Sequence, residues 1–355
     1  MTPGGGDGGL GDRHGGGTRN AIVRRLVALP PTFIGITLLT FAGLHLVPGD
    51  PIDAASGGVA AGEGAAARTL SPESRAELRR AYGLNRPLAT QYADWVSRLV
   101  RLDLGRSFHD GRPVKNKIAE RLPTTLTLTF LAALLAYLVA VPLGTAAAAR
   151  AGSRFDRGLG ASLWLAAATP PYWAASLAIV FLGGGAYLDW FPVLGLASDG
   201  SESWPLAARL ADRAWHLVLP VGCLSIGAVA SVSRVCRAAV VDALAQDYVR
   251  TARAKGAGAA RVLVRHGLRT ALLPLVTLAS ALLPSLLGGS IVVETIFGIP
   301  GMGLLGYEAM VARDYPVILA VTSLAAMVTM LGMAAADVVY RLVDPRVTFE
   351  GTGLP

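Results

Sequence analysis

Six stretches of this chain are each about 20 residues long and nearly free of charge, the length a helix needs to cross the ~30 Å hydrocarbon core of a bilayer. They fall at about 26–47, 125–148, 160–182, 217–236, 272–296 and 317–338. Hydrocarbon offers no partner to a backbone N–H or C=O, so open spanning segments are helices. The expected fold class is an all-α integral membrane protein with six transmembrane helices. Composition agrees: 53% of the 355 residues are hydrophobic and only 16% charged, against about 25% charged in a soluble domain.

The charges that remain set the topology. Arg24 and Arg25 precede the first stretch, Arg150, Arg154 and Arg157 follow the second, and Arg341 and Arg346 follow the sixth. Arg beside a span marks the cytoplasmic side, so both termini are expected inside. The loop 183–215 carries Asp189, Asp199, Glu202 and Asp212 against Arg209 and Arg213, which fits the other side. The net charge of +8 is thus explained by membrane topology and does not call for nucleic acid. The first stretch follows a Gly-rich tail and is too long for a signal-peptide core, so it reads as a retained anchor.

The chain divides accordingly. Residues 1–20 are expected to form a cytoplasmic tail without order, and 21–47 the first membrane helix. Residues 48–120 form a long extracytoplasmic segment, and 121–341 a five-helix core with a cytoplasmic loop at 242–269. Residues 342–355 are a C-terminal tail. Within 48–120, small residues at 54–69 make a linker, and Ser71-Pro72 with Gly83 bounds one helix. A second follows Pro87; Tyr92, Trp95, Val96 and Leu99 give it one apolar face. A small cap on the membrane surface is the favoured reading; a platform for a solute-delivering protein is the other.

The loop at 242–269 cannot enter hydrocarbon. It reads Asp247-Tyr248-Val249-Arg250-Thr251-Ala252-Arg253-Ala254-Lys255-Gly256 and continues through Arg261, Arg265 and Arg269. A helix over 242–255 and a second over 259–268, broken at Gly256 and Gly258, would make a compact projection. A rigid projection can pass a partner's motion to the spans beside it. Its cations suit acidic groups on that partner; a solvated loop obeying the charge rule is the plain alternative.

The segment Arg250-Thr251-Ala252, followed three residues later by Gly256, resembles the E-A-A-x-x-x-G core of ABC importer permeases. Arg250 stands where that core has Glu, and Leu273-Pro274 comes later than usual. Other strings are similar to the dipeptide/oligopeptide (and nickel) branch: Leu46-Val47-Pro48-Gly49-Asp50-Pro51, Asp103-Leu104-Gly105-Arg106-Ser107, Arg121-Leu122-Pro123-Thr124-Thr125, Val293 to Gly303, and Asp344-Pro345-Arg346. They cover about 22–347 in order. The resemblance implies a type I importer permease that is not an enzyme. It also implies a second, homologous permease, two cytoplasmic ATPases, an external solute-binding protein and surrounding lipid. Arg250, Thr251, Ala252, Arg253, Lys255, Gly256, Arg261 and Arg265 would form the ATPase-coupling surface. No cofactor is expected on this chain; ATP and Mg²⁺ would sit on the partners, since no G-x-x-x-x-G-K-[ST] phosphate loop is present.

Candidates for a gate or pathway are Glu294, Thr295, Pro300, Gly301, Pro170 and Pro171. Glu294 is an ionisable group at the expected outer end of the fifth span, a placement that points to function; an interfacial carboxylate exposed to water or bonded to nearby backbone donors is the alternative. Pro170-Pro171 would kink the third span, with helix geometry the simpler reason and a pathway role the other. No metal-ligand cluster is visible, and Cys223 and Cys236 lie too far apart on one helix to pair. Two rivals to the importer reading are an ion-coupled secondary transporter and a membrane scaffold or intramembrane enzyme. The solute (peptide, nickel chelate, glutathione) is not fixed by the sequence.

Overall fold

The long apolar stretches are helical in the computed structural model, which describes residues 13–46, 52, 71–81, 83–184, 187–282 and 290–343. The linker expected at 54–69 lies outside these. The helices are α1 Arg13–Leu46, α2 Pro72–Ala81, α3 Leu88–Val100, α4 Val114–Ala149, α5 Arg154–Ala168, α6 Pro171–Ala178, α7 Leu206–Leu244, α8 Asp247–Ala254, α9 Ala259–Val262, α10 Arg269–Leu282, α11 Ile291–Ile296, α12 Met302–Val311 and α13 Tyr315–Val343. A π-helical turn, Ile179–Gly183, extends α6, and another, Leu263–Leu268, joins α9 to α10.

Several boundaries differ from the sequence expectation. Helix α1 starts at Arg13, inside the tail expected to lack order. Helix α4 starts at Val114, so the border placed at 121 falls within a helix. The fifth span was expected to run unbroken over 272–296, but Ser290 is extended and its hydroxyl caps a new helix by accepting from Val293 N–H. The loop after it contains α12, which the sequence reading missed.

Among the described residues five helices are long and apolar enough to cross a membrane, and α5 with α6 makes a sixth, bent by 98°. Neighbouring packing decides whether this bent pair crosses or re-enters. Ser233 of α7 donates to the Ala140 carbonyl of α4, and a Cβ on Gly144 would lie 2.8 Å from Cys236 Cβ. Residue numbers rise together along the contact, so α4 and α7 run parallel, side by side. The chain between them must therefore return to the side from which α4 started. The bent pair does this. Its start is joined to Arg237 through Asp156, and Gly183 at its end sits against Leu219. Those two points on α7 are about 27 Å apart at 1.5 Å per residue. The pair is one broken span, which brings the apolar spans among the described residues to six.

The break has a local cause. A residue before proline avoids the α region, and both Thr169 (ψ 119°) and Pro170 (ψ 140°) precede one. Helix α5 ends there, and Pro171 restarts α6 at its first turn, where the missing N–H costs nothing. The expectation of a kink within one helix is thus corrected to a near right-angle break.

Helix α4 meets α7 along Ala132, Ala136, Ala140, Gly144 and Ala148, a stripe at intervals of four, all buried. Small residues let backbones approach closely in a membrane, where lipid leaves little hydrophobic drive between helices. At Gly144 a Cβ would lie 2.6 Å from the Ser233 carbonyl oxygen. Gly144→Ala is expected to push the helices apart and expose Cys236, which is fully buried. Faster maleimide labelling of Cys236 in a Cys223→Ser background checks this; an unchanged rate removes the close-packing account.

Candidate functional site

At one end of the bundle the chain forms an elbow. Helix α8 ends in a Schellman turn: Ala257 N–H bonds the Ala252 carbonyl at 3.1 Å and Gly256 N–H bonds that of Arg253 at 2.9 Å. Gly256 holds φ +81°, a region costly for residues with a Cβ. The helix expected over 242–255 is instead broken at Ala245-Gln246, where Gln246 is extended (ψ 152°). That break turns α8 aside so that Val249 is buried and Tyr248 Oη lies 3.1 Å from Thr270 Oγ1. The return limb is buried at Val262 and at Gly267, whose bare Cα meets Leu244 and Val240.

The expected coupling residues come together on this elbow. Arg250, Thr251, Arg253, Lys255, Gly256, Arg261 and Arg265 are exposed, and Ala252 is half-buried. Arg250 lies 3.5 Å from Asp247, both largely in solvent, a pair worth little. The other four cations have no ion-pair partner among the described residues. The surface is therefore a rigid turn bearing uncommitted positive charge.

Behind the elbow lies a link that the sequence reading missed. Arg237 of α7 grips Asp156 of α5 through Nε to Oδ1 at 2.5 Å and Nη2 to Oδ2 at 2.7 Å. Gly152 N–H donates to the same carboxylate at 2.9 Å, and Ser153 caps α5 by accepting from Asp156 N–H. Asp156 is buried, while Arg237 stays partly exposed.

At the opposite end, two of the expected gate residues, Glu294 and Gly301, lie in a buried knot. Glu294 is fully buried. Thr125 of α4 donates to its Oε1 at 3.1 Å, and Leu304 N–H donates to its Oε2 at 2.9 Å. Thr125 Oγ1 in turn accepts from Met302 N–H at 2.7 Å. The carboxylate thus caps α12, as anions at helix N-termini do, and ties α11 and α12 to α4. A Cβ on Gly301 would lie 2.6 Å from Thr125 Oγ1 and closer still to Glu294; one on Gly303 would lie 2.9 Å from Glu294 Oε2. The two glycines leave room for the carboxylate. Among the described residues the Glu294 carboxylate is bonded to nearby donors, one of the arrangements the sequence left open. Thr295 is exposed, Pro300 half-buried and Gly301 buried. Pro170 and Pro171 are exposed at the start of α6, which shares a core with α11 through Ala175 and Val293.

The cap joins this end. The apolar face of α3 packs on α1 and α13 through Tyr92, Trp95, Val96 and Leu99. Tyr92 Oη lies 2.9 Å from Thr37 Oγ1, so α3 lies along the flank of α1 and does not merely cover its end. Buried Asp314 accepts from Ser107 Oγ and, at 3.0 Å, from Phe108 N–H. Burial would push the nearby Asp110 carboxyl up, but Lys117, the Ser107 hydroxyl and Arg112 N–H outweigh it and hold the group at about 2. Among the described residues no cluster of His, Cys, Asp and Glu could hold a metal ion.

The profile of the binding-protein-dependent transport system inner membrane component family matches residues 140–349, and that of its N-terminal companion matches 19–129. The chain is 37% identical over 329 residues to the oligopeptide transport system permease protein AppB of Bacillus subtilis (strain 168), covering 92% of this chain and 99% of that one. It is 34% identical over 342 residues to the dipeptide transport system permease protein DppB of Escherichia coli (strain K12), covering 92% and 98%. It is 31% identical over 356 residues to the peptidoglycan transport system permease protein YejB of Agrobacterium fabrum, covering 93% and 98%. Among solved structures, the inward-facing MetNI methionine ABC transporter superposes with a TM-score of 0.52 at 20% identity, covering 65% of this chain and 98% of the matched one. That likeness concerns the fold alone.

Proposed function

Because this chain belongs to the binding-protein-dependent transport system inner-membrane components, the permease subunits of ABC importers, we propose that it forms half of a peptide translocation pathway. It is a transport subunit and not an enzyme. The peptide class is supported by the similarity to AppB and DppB over nearly the whole of each chain. A larger, peptide-bearing solute is the second reading, favoured by the similarity to the peptidoglycan permease YejB.

The observation that carries the mechanism is the elbow around Gly256, a hydrogen-bonded turn with four cations that have no ion-pair partner among the described residues. A cytoplasmic ATPase with an acidic groove would grip it. A second, homologous permease would complete the pathway, a solute-binding protein would dock on the cap side, and ATP with Mg²⁺ would sit between two ATPase subunits. Both termini would lie in the cytoplasm with the elbow. ATPase closure would drag the elbow and open the spans outward, and hydrolysis would reset them. Each ligand would shift this equilibrium only through its different affinity for the two states.

Purification in mild detergent is expected to bring an ATP-binding chain along with this one, and vesicles holding the complex should accumulate a labelled tripeptide only with ATP. Gly256→Leu is expected to abolish uptake with membrane insertion intact. Its Cβ would meet nothing within this chain, so the effect would come from forcing a branched residue to φ +81° and from crowding the partner. Gly256→Asn, which tolerates that conformation, should keep more uptake. Accumulation driven by an ion gradient without ATP would replace the importer reading with a secondary transporter.

A further inference from the structure

A cavity of about 790 Å³ opens at the cap end, between α1, α3 and the start of α13. Its floor is apolar: Phe41, Trp95 and Leu319 form a small buried core there. Its rim is cationic. Arg98, Arg101 and Lys115 line it and have no ion-pair partner among the described residues. The two carboxylates at the cavity are already engaged. Asp94 is paired to Arg86 at 2.7 Å, and Asp103 Oδ1 accepts from Gly105 N–H at 3.0 Å. Positive charge is therefore left over beside an apolar pocket.

One further group lacks a partner. His45 Nδ1 lies 2.9 Å from the Phe41 carbonyl, so its hydrogen is donated there. That leaves Nε2 a lone-pair acceptor. It is buried with no hydrogen-bond partner among the described residues, and His45 lines the cavity. A buried polar atom in this state is costly unless something fills the space. A ligand that carries a hydroxyl or N–H donor beside an anion would suit both the nitrogen and the cations.

The surroundings say from where it comes. Helix α1 is the least buried of the five unbroken spans, and it exposes Leu39 and Leu46 on either side of the cavity-lining Phe41 and His45 (76% and 82% exposed). Val100 and Leu102, on either side of Arg101, are equally bare at 79% and 81%. An apolar helix flank meeting Arg and Lys at the end of a span is the profile of the lipid headgroup level.

We propose that this cavity is a binding site for an anionic phospholipid whose headgroup carries hydroxyls, of the phosphatidylglycerol class. Its phosphodiester sits among Arg98, Arg101 and Lys115. A glycerol hydroxyl donates to His45 Nε2, and the acyl chains lie along the leucines of α1. The lipid braces the cap against the first and last spans. This assignment does not depend on the solute or on the ATPase.

The test uses the purified complex in detergent with added lipid. Phosphatidylglycerol is expected to raise the unfolding temperature several degrees more than phosphatidylcholine, and to remain bound in native mass spectra. The triple variant Arg98→Gln/Arg101→Gln/Lys115→Gln should lose that difference, while Arg213→Gln, a cation outside the cavity, should keep it. His45→Phe should narrow the preference for phosphatidylglycerol over phosphatidic acid, which has no glycerol hydroxyl. Equal effects of both lipids on the wild type would overturn the site. So would a full shift from glycerol phosphate alone, which would make the ligand a soluble anion. A triple variant that keeps the lipid shift but loses stimulation by a solute-binding protein would reassign the cations to a protein partner.

Discussion

Gly301→Ala is expected to be as damaging as Glu294→Ala, although it removes no interaction. Gly301 has φ −112° and ψ −174°, extended backbone open to any residue, so strain is not the cause. The cause is space: an added Cβ would lie 2.6 Å from Thr125 Oγ1 and 2.5 Å from Glu294 Cδ. The carboxylate is fully buried between α4, α11 and the first turn of α12 and has nowhere to withdraw. Glu294→Ala would empty the same knot, stranding the hydroxyl hydrogen of Thr125 and the Leu304 N–H. Each stranded buried group costs about 1–3 kcal/mol, so either variant should lose several kcal/mol locally. Glu294→Gln keeps the shape but replaces one acceptor oxygen with an NH₂ and removes the charge facing the α12 dipole, and should be intermediate. Thermal unfolding of the solubilised protein, with proteolysis in the 297–301 connection as the local probe, reads the order. Wild-type stability in Gly301→Ala would show that the knot is looser than drawn. An unchanged fold with altered uptake in Glu294→Gln would give the residue a gating role.

This knot also shows where sequence reading succeeds and where it stops. The six apolar stretches were legible because bilayer thickness sets a length that each stretch displays by itself. The third span's break was legible at Pro170-Pro171, but not its 98° angle, which depends on α6 packing against α11. The sequence reading runs the fifth span through 272–296 because the stretch is mostly apolar, yet Ser290 is extended and its hydroxyl caps a new helix. Helix α12 was missed because Gly301 and Gly303 read as loop residues, when their bareness serves a carboxylate several residues upstream. The break at Ala245-Gln246 was hidden by good helix formers, and burial of Val249 wins over propensity there. The stripe Ala132 to Ala148 was in plain view, at spacing four, but one apolar run looks like another until its partner is known. Asp156 with Arg237, and Ser107 with Asp314, are 81 and 207 residues apart; no local pattern joins them.

Breaking the Asp156–Arg237 pair is expected to cut uptake at least tenfold while leaving the ATPase attached. The argument is mechanical. The elbow begins at Asp247, ten residues or about 15 Å beyond Arg237 on nearly the same helix. A pull on the elbow thus reaches the inner end of α7 first. From there the firmest charged tie to another span is the bidentate grip on Asp156, which starts the broken span. Two parallel N–H···O bonds resist rotation as well as separation, so α5 must follow α7. Asp156→Asn keeps one acceptor oxygen and should lose the charge-assisted part. Arg237→Lys keeps the charge but cannot make both bonds. The exchanged pair, Asp156→Arg with Arg237→Asp, should recover part of the loss and not all, because an arginine at 156 cannot accept the Gly152 N–H. Uptake and ATP hydrolysis measured in the same vesicles separate this from simple misfolding. Misfolding lowers both in proportion to the protein lost, whereas a severed linkage leaves hydrolysis running with little solute moved. If each single variant keeps the wild-type ratio of solute to ATP, motion reaches α5 by another path, and the pair only fixes where the broken span begins.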